Sequence, residues 1–245
     1  MKLFARIATV LFILAVPLFL VTANVRFAAG DSWFTKQGFR TYHVDRTTGV
    51  SFQELDAAAD DIVRYFEDDR SSLRIEVTIS GRETALFTEE EISHMRDVKG
   101  LMGLVYRLNE ASLAVIIAYV GAVVLWTRER SPRQLAKYSL LGVAFGLIVV
   151  AGIGAFAVTG FDAAWTKFHE IAFRNDLWQL DPSKDRLIQM FPEPFWKDMT
   201  YAVGGLTVLE VLAIVSVSVS YLIFGRSTDA EAASDYEASR HRRAS

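Results

Sequence analysis

No cysteine occurs in the 245 residues. No disulfide can therefore staple an exported domain, no cysteine-linked lipid can anchor the chain, and no thiol can hold an acyl group as a thioester. Glycines do not gather into a phosphate-binding loop, no basic stripe marks a nucleic-acid partner, and no segment repeats. The formal net charge of −3 selects no partner class. Histidine is scarce too, with four copies, so each can be weighed individually.

What the chain does have is apolar sequence in blocks, since 51% of residues are hydrophobic while 22% are charged. A transmembrane helix needs roughly 17–25 mostly apolar residues. Four segments reach that length: 7–25, 108–126, 138–158 and 201–224. Basic residues favour the cytoplasmic side of a bilayer. Lys2 and Arg6 precede the first span, Arg128, Arg130, Arg133 and Lys137 fill the connection between the second and third, and Arg226 follows the fourth. The sequence therefore predicts a multi-pass protein with both termini cytoplasmic. Residues 1–25 hold the N-terminus and first span, 26–107 an extracytoplasmic cap, 108–126 the second span, and 127–137 a basic inner loop. Residues 138–158 form the third span, 159–200 an interfacial outer loop, 201–224 the fourth span, and 225–245 a polar tail read as disordered. Val21-Thr22-Ala23 also suits a signal peptidase, but the apolar run is long enough to span, and cleavage would leave the cap on the same side.

Within the cap, Phe52, Leu55, Ala59, Ile62 and Phe66 recur at helical spacing. Leu73, Ile75, Val77 and Ile79 alternate with polar residues as a half-buried strand does. Ser80-Gly81-Arg82 turns the chain, and a second strand is expected at 85–87. Thr88 followed by Glu91 is a capping-box signature, so a helix should begin near Glu89 and run towards the second span, with His94 in its second turn and Asp97 on the same face. The fold class expected is an α-helical integral membrane protein with four transmembrane helices, a small α+β cap and a second structured, aromatic-rich outer loop. That loop carries Phe161, Trp165, Phe168, Phe173, Trp178, Phe191, Phe195 and Trp196, rings that settle at headgroup level. Asp181-Pro182 resembles a helix start, and Pro192 its end.

His94 and His169 fall in the two segments expected on one side of the bilayer, each with carboxylates nearby: Asp97 for the first, Glu170 and Asp176 for the second. Imidazole changes charge near neutral pH, so two of them at a lipid–water boundary can move protons. Taken alone, each is more readily read as a histidine satisfying a hydrogen bond at a helix surface; their joint placement shifts the balance. His169-Glu170 begins like a metalloprotease helix, but Phe173 stands where the second ligand of His-Glu-x-x-His is required, and no metal is expected. Glu210 lies inside the fourth span, where an ionised side chain is costly unless hydrated or paired, for example with Arg107. Gly142 and Gly146 form a small-xxx-small pair suited to close helix packing.

The stretch from Glu91 through His94-Met95-Arg96-Asp97-Val98 resembles the lipoprotein intramolecular transacylase family of bacterial membrane proteins. So do Phe168-His169, Asn175-Asp176, Trp178, Asp181-Pro182, Asp185, Leu187-Ile188 and Phe191-Pro192-Glu193 with Phe195. Residues of about 30–85 carry no matching motif. The resemblance implies an enzyme of the bacterial cytoplasmic membrane acting at the outer leaflet on diacylated lipoproteins. It moves the sn-2 ester acyl chain of the diacylglyceryl cysteine onto the α-amine of the same residue and leaves a lyso-form lipoprotein. No cofactor, acyl donor or second subunit is implied, and membrane lipid is the only other partner.

The residues suit that chemistry. An amine attacks an ester only when neutral, so a base must accept its proton, and the departing alkoxide needs an acid. His94 and His169 divide these roles, Asp97 orients His94, and Asn175 or a neighbouring backbone amide meets the oxyanion. Asp176 and Glu170 support the second histidine, and Trp165, Phe168, Phe173 and Trp178 bound the acyl chains. Direct transfer suits a substrate that contains both reacting groups. Two other classes compete: a non-enzymatic envelope sensor or assembly protein, in which both histidines are dispensable, and a metal-dependent membrane hydrolase, which a chelator would silence.

Overall fold

A computed structural model describes residues 2–126 and 131–244. Arg128 and Arg130, part of the basic inner loop, lie outside the described residues. The chain forms helices α1 (Lys2–Gly30), α2 (Ser32–Thr41), α3 (Val44–Thr48) and α4 (Phe52–Glu67), then a hairpin of β1 (Glu76–Ile79) and β2 (Arg82–Ala85). Helices α5 (Glu89–Trp126), α6 (Ser131–Thr159), α7 (Phe161–Ala172), α8 (Arg186–Met190) and α9 (Glu193–Ala244) complete it.

Four of these helices, α1, α5, α6 and α9, are long and apolar enough to cross a membrane. Between 11% and 22% of each apolar stretch is buried against protein, so most of that surface is left for lipid. The 38 residues of α5 measure about 57 Å, against about 30 Å of hydrocarbon. It is longer than a crossing needs, and its first part carries Glu89, Glu90, Arg96, Asp97 and Lys99. α1 passes through Val21-Thr22-Ala23 without a break.

The chain divides into two compact units. The first comprises 1–20, 111–149 and 207–245 and contains most of the spans. Phe12, Val16, Leu20, Val143 and Val211 form its core, and the Phe12 and Tyr119 rings stack at 4.5 Å. The glycines of α6 act as the sequence suggests. A Cβ on Gly146 would sit 2.5 Å from the Pro17 side chain, and one on Gly142 would sit 2.9 Å from the Ile13 carbonyl, so only glycine lets α1 approach this closely.

The second unit comprises 21–110 and 150–206. Its core gathers Leu55, Ala59, Ile62 and Tyr65 from α4, Leu73, Val77, Leu86 and Phe87 around the hairpin, Ile92 and Met95 from α5, and Leu187 and Met190 from α8. Phe66, expected on the α4 core face, is only partly buried, and Tyr65 takes the central place. Ser51 and Glu54 cap α4, and Glu54 also accepts the Thr78 N–H at 2.7 Å.

Two sequence expectations need correction. The second strand is Arg82–Ala85, not 85–87: Ser80 (φ 52°) and Gly81 (φ 78°) make a two-residue turn, so pairing starts at Ile79↔Arg82 and the apolar Leu86-Phe87 runs on into the core. No helix starts at Asp181, because its carboxylate accepts from Ser183 N (2.9 Å) and Oγ (2.7 Å) in an Asx turn; α8 begins after Asp185 instead. The α9 backbone runs on through the polar tail to Ala244. After Gly225 it contains no Gly or Pro to end a helix.

Candidate active site

Both histidines and the rings around them lie in the second unit, on α5, α7 and the turn after α7. The helix that carries His94 starts where Thr88 donates its N–H to Glu91 Oε2 (2.7 Å) and Glu91 N–H returns a bond to Thr88 Oγ1 (3.3 Å), the capping box read from sequence. Glu91 is fully buried, and its other oxygen accepts the Leu187 N–H at 2.6 Å. One carboxylate thus caps the helix of His94 and pins α8. α7 runs Phe161–Ala172 and places His169 in its last turn, one helical turn beyond Trp165.

The structure brings the two histidines together, with ring centroids 6.1 Å apart and each residue 7% exposed. Four aromatic rings surround His169: Trp165 at 4.7 Å, Trp178 at 5.0 Å, Phe168 at 5.1 Å and Phe173 at 5.5 Å. Phe173 also meets the His94 ring edge-on at 5.1 Å. All four rings expected to bound acyl chains therefore stand around the imidazoles.

The two imidazoles are wired differently. His169 Nδ1 lies 2.8 Å from the Trp165 carbonyl oxygen, which can only accept, so Nδ1 carries the proton and the lone pair of the neutral ring is on Nε2. Its pKa is lowered, chiefly by burial, while the Trp165 carbonyl works the other way. His94 Nδ1 is buried with no hydrogen-bond partner. Burial, and then repulsion from His169, push the His94 pKa down to about 4, against the opposing charge of Asp97. Burial disfavours the charged form of both rings, and a second positive charge in this box would be costly.

The expected supporting residues are placed differently from their sequence roles. Asp97 does not orient His94 through a hydrogen bond; it accepts from Asn175 Nδ2 at 2.8 Å. Asn175 in turn accepts the Leu177 N–H at 3.1 Å, so its side chain clasps the turn after α7 to α5. Glu170 is exposed and pairs with Lys167 at 2.9 Å, and Asp176 is exposed and accepts from Gln179 at 3.3 Å. Arg107 is exposed on α5, and Glu210 is half-buried on α9 in the first unit. Among the described residues no group of three or more His, Asp or Glu gathers in a metal-holding cluster.

The sequence profile of the lipoprotein intramolecular transacylase family, Lit, matches residues 10–196 and so takes in both histidine segments. The chain belongs to this family. The solved membrane-integral Lit of Bacillus cereus has the same fold: at 15% identity the likeness covers 93% of this chain and 100% of that one, with a TM-score of 0.75. A histidine-to-arginine variant of the same B. cereus protein superposes with a TM-score of 0.70 over 91% of this chain and 94% of its own, also at 15% identity. An uncharacterised protein of Aquifex aeolicus (strain VF5) is 27% identical over 126 residues, 50% of this chain. The match spans about half, 52%, of that relative's length.

Two contacts that hold the candidate site together escaped sequence reading. Trp196, at the head of α9, packs on Trp165 at 4.8 Å and donates its indole N–H to the Phe191 carbonyl at 3.1 Å, backing the wall behind His169. Glu91 is legible as a local cap and as the start of the first family motif, but its bond to Leu187 joins positions 96 residues apart, for which a single sequence has no signal.

Proposed function

We propose that this chain is a lipoprotein intramolecular transacylase that moves the sn-2 ester acyl chain of a diacylglyceryl-cysteine lipoprotein onto the α-amine of the same cysteine. The observation that carries the reading is the buried pair of imidazoles inside an aromatic box, one with its Nδ1 held by a carbonyl and the other with an unpartnered ring nitrogen. The amine lone pair attacks the ester carbonyl carbon, the acyl C–O bond breaks, and the amine proton ends on the glycerol oxygen. His169 Nε2 suits the base, because the Trp165 carbonyl stabilises the imidazolium that forms. His94, held neutral, suits a donor to the carbonyl or leaving oxygen rather than a charged acid. The aromatic walls restrict water, which would otherwise hydrolyse the ester. The Asp97–Asn175 clasp keeps the two histidine segments in register.

Mass spectrometry of a reporter lipoprotein's N-terminal peptide, from purified chain and diacylated lipopeptide in detergent, tests this. One acyl chain should move from glycerol to amine with total mass unchanged and with no donor or metal added. Loss of an acyl chain to water would sink the reading.

The depressed pKa of His94 fixes a pH profile. The folded value lies below the unfolded one, so the folded ring is neutral at any pH well above about 4. Burial holds His169, the base, below its ordinary value as well, so the group that limits the rate on the acid side is the substrate amine, which titrates at about 7.7–8.0. Turnover should rise with pH and level off near the amine pKa, and a substrate with a less basic amine should shift the profile by the same amount. An inflection near 6.5, indifferent to the substrate, would show an imidazole titrating in its ordinary range.

We place both histidines on the outer face of the bacterial cytoplasmic membrane, supported by Lys2, Arg6, Arg133 and Lys137 at the opposite helix ends. Single cysteines introduced as Ser183→Cys and Ser131→Cys should label from opposite sides with an impermeant reagent. Ser183→Cys labelling only from the cytoplasm would reverse the orientation.

A further inference from the structure

α7 has two unlike flanks on either side of its buried face. At 100° per residue, Phe161, Trp165, His169 and Ala172 share the face turned inward. Ala164, Phe168 and Ile171 follow one another at i, i+4 and i+7 along one flank; Asp162, Thr166 and Glu170 line the other. The apolar flank is not covered by protein: Phe168 is 43% exposed and Ile171 77% exposed.

Three observations identify the bilayer as what covers it. α7 is separated from the apolar helix α6 by Gly160 alone, so it starts at the membrane boundary. Its inward face meets the head of a second apolar helix through Trp165 and Trp196, half-buried indoles of the kind that settle at headgroup level. Its opposite flank is polar, with Asp162, Thr166 and Glu170 all exposed. A helix with one apolar and one polar flank, joined to a span at its start, lies along the interface with the apolar flank in lipid.

Phe168 connects that flank to the chemistry. Trp165 and Trp178 are half-buried and Phe173 is buried, whereas Phe168 packs on His169 at 5.1 Å and on Trp165 at 5.5 Å while keeping a large exposed face. We propose that the Ala164–Phe168–Ile171 flank of α7 is a bilayer-facing portal, that a lipid-held acyl ester slides through it sideways to the histidine pair, and that Phe168 sets which acyl chains pass. The identity of the acyl substrate rests on the transacylase reading; the lipid-facing flank does not.

The cysteine-free chain allows both parts to be tested in the full-length protein in phosphatidylethanolamine–phosphatidylglycerol vesicles. Nitroxide labels are placed by Ile171→Cys and Thr166→Cys. The label at 171 should collide mainly with oxygen, which partitions into lipid, and the label at 166 mainly with a water-soluble nickel chelate. Equal nickel access at both positions overturns the portal, whether or not the protein is active. In the second arm, Phe168→Trp and Phe168→Ala are assayed against lipopeptides with slim and with branched sn-2 chains. Phe168→Trp should lower kcat/KM for the branched chain about tenfold relative to the slim one, and Phe168→Ala should narrow the difference. Equal losses on both substrates overturn the gating role. Absence of transacylation by the unaltered chain would remove the acyl-transfer reading while the label pattern still decides the flank.

Discussion

Replacing His94 or His169 with alanine is expected to lower turnover by about two to four orders of magnitude, the usual cost of removing a positioned proton-transfer group. The geometry makes the two losses interdependent. The rings lie 6.1 Å apart in one aromatic box, and on the proposed mechanism the base that relieves the amine and the donor that meets the developing charge act on a single transition state. The double variant should consequently be little worse than either single one. His169→Gln should fare no better than alanine, since it keeps a donor for the Trp165 carbonyl but offers no basic nitrogen. Asp97→Asn should cost much less, because Asp97 bonds to Asn175 and reaches His94 only through its charge. His43→Asn is the proper control: His43 is exposed with φ 50°, a left-handed conformation that asparagine tolerates better than alanine. Lyso-form production near wild type with either active-site alanine, in a protein still folded and inserted, would end the proposal.

The parts legible in the sequence were those written in local periodicity. The apolar runs gave the spans, Thr88 with Glu91 gave the start of α5, and the small pair Gly142 and Gly146 gave the close packing on Pro17. The pairing of His94 with His169 could be inferred only because both segments were assigned to one side of a membrane. Interactions that depend on distant partners were misread. Asp97 faces His94 on an ideal helix, yet its carboxylate is taken by Asn175, 78 residues away. The hairpin strand was displaced because Ser80, not a glycine, takes the first positive φ of a two-residue turn, and the apolar pair Leu86-Phe87 imitated a strand while serving the core. α2 was missed because it is short. Its Gly38 records a constraint no pattern reveals: an added Cβ would lie 2.5 Å from the Phe195 ring.

The largest effect on stability is expected at Glu91. Its carboxylate is fully buried and accepts two backbone N–H groups, Thr88 at 2.7 Å and Leu187 at 2.6 Å, one at each of the segments that flank the site. Glu91→Leu fits the apolar surroundings but strands both donors, at about 1–3 kcal/mol each, a large share of the roughly 5–15 kcal/mol that holds a domain together. Glu91→Gln keeps one carbonyl oxygen and turns an NH₂ towards the other donor, so it should lose about half as much. Thermal unfolding in detergent, followed by tryptophan fluorescence, should rank wild type above Glu91→Gln above Glu91→Leu. Turnover should fall in the same order at temperatures where each variant remains folded, because the carboxylate sets the position of α5, and so of His94, against α8 and the loop that carries Trp178. A Glu91→Gln protein as stable and active as wild type would show that the two bonds do not hold this junction.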